Sequence, residues 1–301
     1  MTPAARHQGR ERRAERAPEL PSPGVAFGAD FLPRLGRIAL RLRSEHERHE
    51  GAGRSRLFGV GSEVVGFRPY RPGEDLRHLD WSLYARMRRP FVRVARREAS
   101  ERWAILVDTS ASMGVGRPGK LQLAAELATA IAAVGLGHGA SIELFCSGRD
   151  EGIRLRRRPE LRAWMRFLET CRAGGSRGLA ELVREPARVR GAGAVFLLGD
   201  LFDLEPRDTH ALLRRGRELF CAQLLAPEEL SPKEMAVRWV DAETGEGAPI
   251  EVDRQARHTY EALLSRRLEA WGAACARHGT IYGFWRSTTP FESIVTELFE
   301  G

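Results

Sequence analysis

Two carboxylates in this chain each follow directly after an apolar, β-branched run. Asp108 ends the run Trp103 to Val107, and two hydroxyls follow it at alternate positions, Ser110 and Ser112. Such a run is typical of a buried strand in a parallel sheet, and ligands of open α/β sheets bind at the carboxyl ends of the strands. Asp200 ends a second run of the same kind, Val195 to Gly199. The spacing therefore predicts two carboxylates at one edge of a sheet.

The side chains of this set are oxygen donors, which bind hard cations. Oxygen donors without His or Cys suit Mg²⁺, which prefers six oxygens and keeps several waters. Between the two runs lies Ser176, a loop hydroxyl after two glycines. We therefore predict a metal site from two carboxylates and three hydroxyls: Asp108, Ser110, Ser112, Ser176 and Asp200. The alternative is that the carboxylates cap helices and Ser176 lies in a turn.

The elements that must position these residues alternate between strand and helix from Trp103 onward. An Ala- and Leu-rich helix over Lys120 to Leu136 precedes a strand over Ser141 to Cys146. A helix is predicted over Pro206 to Leu219, and a long one from Arg254 to His278 that stops at Gly279. Alternation of this kind predicts an α/β fold with a doubly wound, mostly parallel sheet and helices on both faces.

The region before this sheet has its own pattern. The first 24 residues are rich in Arg, Glu, Pro and Ala and are predicted to be a disordered tail. An amphipathic helix is expected from Asp30, with Phe31, Leu35, Ile38 and Leu42 on one face. Phe91 to Arg97 alternates apolar residues with Arg, and we expect it to pair with the strand that starts at Trp103. The chain is therefore expected to divide into the disordered tail (1–24), an N-terminal region (25–100) and the sheet domain (101–301).

A glycine-rich stretch, Gly114 to Lys120, imitates two nucleotide-binding motifs. It matches G-x-G-x-x-G, but six residues separate it from the strand that a dinucleotide fold would place directly before it. It also matches G-x-x-x-x-G-K, but Leu121 follows where a phosphate-binding loop needs Ser or Thr, and Pro118 removes a backbone N–H. A surface turn that opens the next helix is the favoured interpretation.

Composition narrows the class of protein. The net charge is +8, and nearly all basic residues are Arg, since only Lys120 and Lys233 are Lys. Most of these basic residues alternate with acidic ones, which argues against nucleic-acid binding. Nucleic-acid binding remains an alternative because of one run of basic residues, Arg154, Arg156, Arg157 and Arg158. The four cysteines are scattered without a metal or redox spacing, which favours a reducing compartment. No signal peptide or membrane span is predicted, so we expect a soluble, cytoplasmic protein.

The motifs carry a resemblance to a known family. Asp108-Thr-Ser110-Ala-Ser112, Ser176 and Asp200 resemble the metal-ion-dependent adhesion site of a von Willebrand factor A domain. The stretch from Arg68 to Arg86 is similar to the signature R-x-Y-x-P-G-D-D-x-R-x-x-D-W-x-x-x-A-R of the bacterial domain-of-unknown-function family 58, which precedes such a domain. The matching residues are Arg68, Tyr70, Pro72, Gly73, Glu74, Asp75, Arg77, Asp80, Trp81, Ala85 and Arg86.

Two positions depart from the family pattern. Glu74 stands where the family has Asp, and Ser176 stands where adhesion sites have Thr; both substitutions keep the chemical group. The resemblance implies a Mg²⁺ or other divalent cation and a protein partner that offers an acidic side chain, in particular a MoxR-type AAA+ ATPase in the assembly or remodelling of protein complexes. The alternative of a metal-assisted hydrolase lacks a His or Cys in the motif loops to act as base or nucleophile.

Overall fold

A six-stranded, mostly parallel sheet forms the centre of the computed structural model. The structure describes residues 24–49, 64–69, 81–95, 102–214, 216–232, 235–240 and 247–300. The described helices are α1 (Phe31–His49), α2 (Trp81–Met87), α3 (Lys120–Gly137), α4 (Leu161–Glu169), α5 (Leu179–Val183), α6 (Pro227–Leu230), α7 (Arg254–His278) and α8 (Phe291–Glu300). Short 3₁₀ helices span Ala111–Gly114, Arg158–Glu160 and Pro206–Leu212. The strands are β1 (Val64–Pro69), β2 (Phe91–Ala95), β3 (Arg102–Val107), β4 (Ser141–Cys146), β5 (Ile153–Leu155), β6 (Ala194–Gly199), β7 (Glu218–Leu225), β8 (Met235–Val240), β9 (Gly247–Val252) and β10 (Ile281–Arg286).

The order of strands across the sheet is β10-β7-β6-β3-β4-β5. All neighbours are parallel except β5, which runs antiparallel to β4 at one edge. Numbered by their own sequence, these six strands follow the order 3-2-1-4-5-6, the doubly wound arrangement in which the chain turns back at its first strand. The point of reversal lies between β3 and β6, the two strands that carry the predicted carboxylates.

Helices cover both faces of the sheet, as the sequence predicted. Alternate residues of β3 belong to opposite cores: Trp103, Ile105 and Val107 face α1, α3, α4 and α8, whereas Ala104 and Leu106 face α5 and α7. Successive side chains of a strand point to opposite sides, so a strand buried on both faces must be apolar throughout. This explains why β3 has no polar residue between Trp103 and Val107.

The central helix of the first layer is α3. It is apolar almost all round, and most of its residues are buried, which is typical of a helix in the middle of a core. Among the described helices, α3 alone has the length and hydropathy of a membrane span, and 72% of it is buried inside the protein. A core helix of a globular protein meets the same criteria.

The amphipathic first helix packs onto this layer. Phe31, Leu35, Ile38 and Leu42 are buried, as their spacing predicted, against α3 and α8. Arg34 donates from Nε and Nη2 to the carboxylate of Glu292 at 2.5 and 2.7 Å, which ties α1 to the first turn of α8. The three divisions expected from the sequence stay a prediction.

Two local expectations were wrong. Phe91–Ala95 does not pair with β3 but forms a separate antiparallel ribbon with β1, because strand pairing depends on tertiary placement and not on proximity in sequence. The predicted helix over 206–219 is a 3₁₀ helix that ends at Leu212, and β7 begins at Glu218. Leu219 to Leu225 is buried on both faces, so sheet formation prevails over the helical pattern.

Candidate functional site

The two predicted carboxylates meet at the carboxyl edge of the sheet. β3 and β6 are parallel neighbours, and the Asp108 backbone N–H donates to the Leu198 carbonyl at 2.9 Å. Gly199 lies so close that an added Cβ would come within 2.7 Å of the Asp108 Cβ. Only glycine permits this approach, so the residue before Asp200 is part of what brings the two acids together.

Hydrogen bonds link Ser110 and Ser112, in the loop after Asp108, to both carboxylates. The Ser110 N–H donates to Asp108 Oδ1 at 2.8 Å, and the Ser110 and Ser112 hydroxyls are 3.1 Å apart. Ser112 Oγ then donates to Asp200 Oδ2 at 2.7 Å. Asp108, Ser110 and Asp200 are each at most 2% exposed, and Ser112 is half-buried. Four of the five predicted ligands therefore form one connected set, of which three are buried and Ser112 is half-buried.

The loop that carries the fifth predicted ligand lies beside this set. The Ala111 N–H donates to the Gly175 carbonyl, and the Gly174 N–H donates to the Thr109 carbonyl, both at 2.9 Å. Ser176 follows directly and is exposed. The structure thus places the loop of Ser176 against the loop of Asp108, with the Ser176 side chain at the surface.

Burial and neighbouring negative charge raise the pKa of two carboxyl groups at the site, Asp108 and Asp203. Burial, then the negative charges of Asp200 and Asp203, raise the pKa of Asp108 to about 7. Burial and Asp200 also raise the pKa of Asp203, although its carboxylate accepts a bond from the Ala180 N–H at 2.7 Å. A third carboxylate, which was not predicted from the sequence, therefore adjoins the predicted pair. The only indication of Asp203 in the sequence is its position three residues after Asp200.

The backbone just after Asp200 is held in an unusual conformation. Leu201 is buried and has a φ of 57°, the left-handed region that costs a non-glycine residue about 1 kcal/mol. The Arg267 side chain holds this loop by donating to the carbonyls of Leu201, Phe202 and Leu204. Strain of this kind concentrates at functional sites. In the same turn the Phe202 N–H donates to Asp200 Oδ1 at 3.1 Å, while Ser112 donates to Oδ2.

A buried lysine that was not predicted from the sequence also reaches the site. Lys120 is 0% exposed, and its Nζ donates to Asp200 Oδ2 at 2.8 Å and to Glu229 Oε1 at 2.5 Å. The stretch Gly114 to Lys120 is a turn that opens α3, as predicted, but its last residue is not at the surface. The available signal was that Lys120 is one of two lysines in a chain with 48 basic residues.

The donor set fits a hard cation in its chemistry. It offers carboxylate and hydroxyl oxygens, and the pKa of Asp108 is raised by burial and then by neighbouring negative charge, which a cation would offset. Among the described residues, no group of three or more His, Cys, Asp or Glu side chains is arranged as a metal site. Asp108, Ser110, Ser112, Ser176 and Asp200 would therefore hold a cation with hydroxyls and water beside two carboxylates.

The family signature lies mostly outside the described residues. Tyr70, Pro72, Gly73, Glu74, Asp75, Arg77 and Asp80 fall there. Arg68 belongs to β1, while Trp81, Ala85 and Arg86 belong to α2. In the arginine run considered for nucleic acid, Arg154 pairs with Glu143 and Arg157 with Glu160.

Comparisons with known proteins found uncharacterized relatives, a solved structure and a matching family model. Uncharacterized proteins Mb1516 of Mycobacterium bovis and Rv1480 of Mycobacterium tuberculosis are each 29% identical over 238 residues, 71% of this chain and 74% of theirs. A crystal structure of the conserved hypothetical protein BatB from Bacteroides thetaiotaomicron aligns with a TM-score of 0.42 at 13% identity, over 66% of this chain and 96% of that chain. The family model described as "Protein of unknown function DUF58" matches residues 66–270, and the chain therefore belongs to the DUF58 family.

Proposed function

We propose that this protein is a metal-dependent adaptor whose sheet domain is of the von Willebrand factor A type. The residues Asp108, Ser110, Ser112, Ser176 and Asp200 bind Mg²⁺ or another divalent cation. The bound cation keeps an exchangeable position, which an acidic side chain of a partner protein occupies. The observation that carries this proposal is the chain of contacts from Asp108 through Ser110 and Ser112 to Asp200.

The position of this set in the fold supports a binding role. It lies at the reversal point of a doubly wound sheet, where ligands of such folds bind. The cluster has two buried carboxylates at adjacent strand ends. Lys120 pairs with Asp200, whereas burial and the charges of Asp200 and Asp203 make the ionised form of Asp108 costly, as its raised pKa indicates. A divalent cation would compensate both charges.

Titration calorimetry with Mg²⁺ tests the metal part of the proposal. Ser112→Ala removes one hydroxyl donor, and we expect it to weaken Mg²⁺ binding, while Asp108→Ala should abolish it. The matched control is Thr129→Val in α3, because it deletes a buried hydroxyl that bonds only within its own helix, to the Ala125 carbonyl at 2.8 Å. Equal binding by wild type and Asp108→Ala would refute the metal site.

The partner implied by the family resemblance is a MoxR-type AAA+ ATPase. Such an ATPase uses Mg²⁺ with its own nucleotide, so a chelator would disable both proteins. The informative comparison is wild type against Asp108→Ala at fixed Mg²⁺, with the purified ATPase of the same organism on a biosensor surface. We expect binding by wild type and by Thr129→Val, and loss of binding by Asp108→Ala. Unchanged binding by Asp108→Ala would separate the partner from this site.

A further inference from the structure

Lys120 is a buried charge in contact with the proposed cation site. It begins α3, is 0% exposed, and donates to Asp200 Oδ2, the same oxygen that accepts the Ser112 hydroxyl. Burying an ammonium is costly unless it is paired, and here two carboxylates surround it. The chain uses Arg almost everywhere else, but a guanidinium has five donors in a rigid plane, whereas an ammonium is a compact charge with three.

Glu229 holds the ammonium from the other side. Its Oε1 accepts from Lys120 Nζ at 2.5 Å, and its Oε2 accepts from the Ala226 N–H at 2.7 Å, which fixes the carboxylate at the start of α6. Lys120 is therefore shared between a carboxylate of the site, Asp200, and one that lies beyond it. The net charge next to Asp200 therefore depends on both the Lys120 ammonium and the Glu229 carboxylate.

We propose that Lys120 is a fixed positive charge that weakens divalent-cation binding at the Asp108–Asp200 site, and that Glu229 limits this effect. The inference rests on the proposed function, since it concerns the metal affinity of the same site. The ammonium already compensates part of the negative charge of Asp200 and repels a second cation nearby. Removing one unit charge a few ångströms from a divalent cation changes its affinity by about tenfold or more in a partly buried site.

Two substitutions of opposite charge test this inference. Lys120→Met and Glu229→Gln each break the same buried ion pair, so each is expected to lower the stability of the fold. Their effects on the site differ in sign, however, because the first removes a positive charge and the second removes a negative one. We expect Lys120→Met to bind Mg²⁺ about tenfold or more tightly than wild type, and Glu229→Gln to bind it more weakly by a similar factor.

The control for net charge is Arg277→Met, which makes the same formal change as Lys120→Met. Arg277 is exposed in the last turn of α7, just before β10. It therefore lies near the amino ends of the parallel strands, whereas the site lies at their carboxyl ends, and its substitution should leave the Mg²⁺ affinity unchanged. Calorimetry with Mg²⁺ alone measures wild type, these three variants and Asp108→Ala at a temperature where circular dichroism shows each to be folded. If Lys120→Met does not fold, Glu229→Gln against wild type still tests the sign.

The possible failures are distinguishable. If Lys120→Met and Glu229→Gln both bind Mg²⁺ more weakly, Lys120 positions Asp200 and does not oppose the cation. If both match wild type while Asp108→Ala loses binding, the metal site stands and the role of Lys120 is refuted. If neither wild type nor any variant binds Mg²⁺, the proposed function itself fails, and this inference with it.

Discussion

Replacing Asp108 with Asn should stabilise the protein at alkaline pH when divalent metal is absent. The amide keeps the size of the carboxylate and an oxygen that can accept the Ser110 N–H bond, now 2.8 Å long. It removes a negative charge that burial, and then the charges of Asp200 and Asp203, disfavour within the site. Most substitutions of buried polar residues destabilise, so a gain in stability would be a specific result.

The size of the gain follows from the pKa of Asp108, which lies at about 7 in the folded protein against an ordinary value of 3.8. Between these values the folded state binds more protons than the unfolded state, so wild-type stability falls as the pH rises from about 4 to about 7. The full penalty, present above pH 7, is about 4 kcal/mol as an upper limit, since one pKa unit is about 1.4 kcal/mol. The amide cannot ionise and avoids this loss.

Guanidinium unfolding in EDTA at pH 4.5 and pH 8 measures the difference between variant and wild type. We expect Asp108→Asn to exceed wild type by up to about 4 kcal/mol at pH 8 and by much less at pH 4.5. The control is Asp253→Asn at the exposed start of α7, where the Ala256 N–H bond is 2.7 Å and Asn caps a helix as well as Asp does. A variant less stable than wild type at pH 8, or a gap that does not shrink on acidification, would refute the reasoning.

Two further predictions concern packing and the thiols. In α3, Gly135→Ala should destabilise the protein by about 1–3 kcal/mol because its Cβ would come within 2.6 Å of Ile142 and 2.7 Å of Trp103, whereas Gly137→Ala, with nothing within 4 Å, should stabilise it by about 0.5–1 kcal/mol. Urea midpoints that shift in the same direction would contradict this. The four cysteines are buried, with the Cys146 and Cys171 sulfurs 3.8 Å apart, so alkylation by iodoacetamide should be slow in the native protein and fast in guanidinium. Rapid labelling of any of the four under native conditions would show that its thiol is accessible.

Local signals in the sequence were sufficient for most of the elements around the site. The apolar runs before Asp108 and Asp200 predicted two buried strands with carboxylates at their ends, and the structure has β3 and β6 there. The predicted partner strand of Phe91–Ala95 was wrong because it was inferred from proximity along the chain. For the same reason the contact between Cys146 and Cys171, which are 25 residues apart in sequence, was not predicted.

The sequence by itself determined which residues end the strands and which side chains offer oxygen. Only the tertiary structure decided that β3 and β6 are neighbours, which brings Asp108 and Asp200 together, and that Asp203 adjoins them. Lys120 is the clearest case. Its motif favours a surface turn over a nucleotide loop, but the motif does not indicate that its ammonium contacts Asp200. Burial and charge pairing depend on chain segments that are distant in sequence, so no local pattern reveals them.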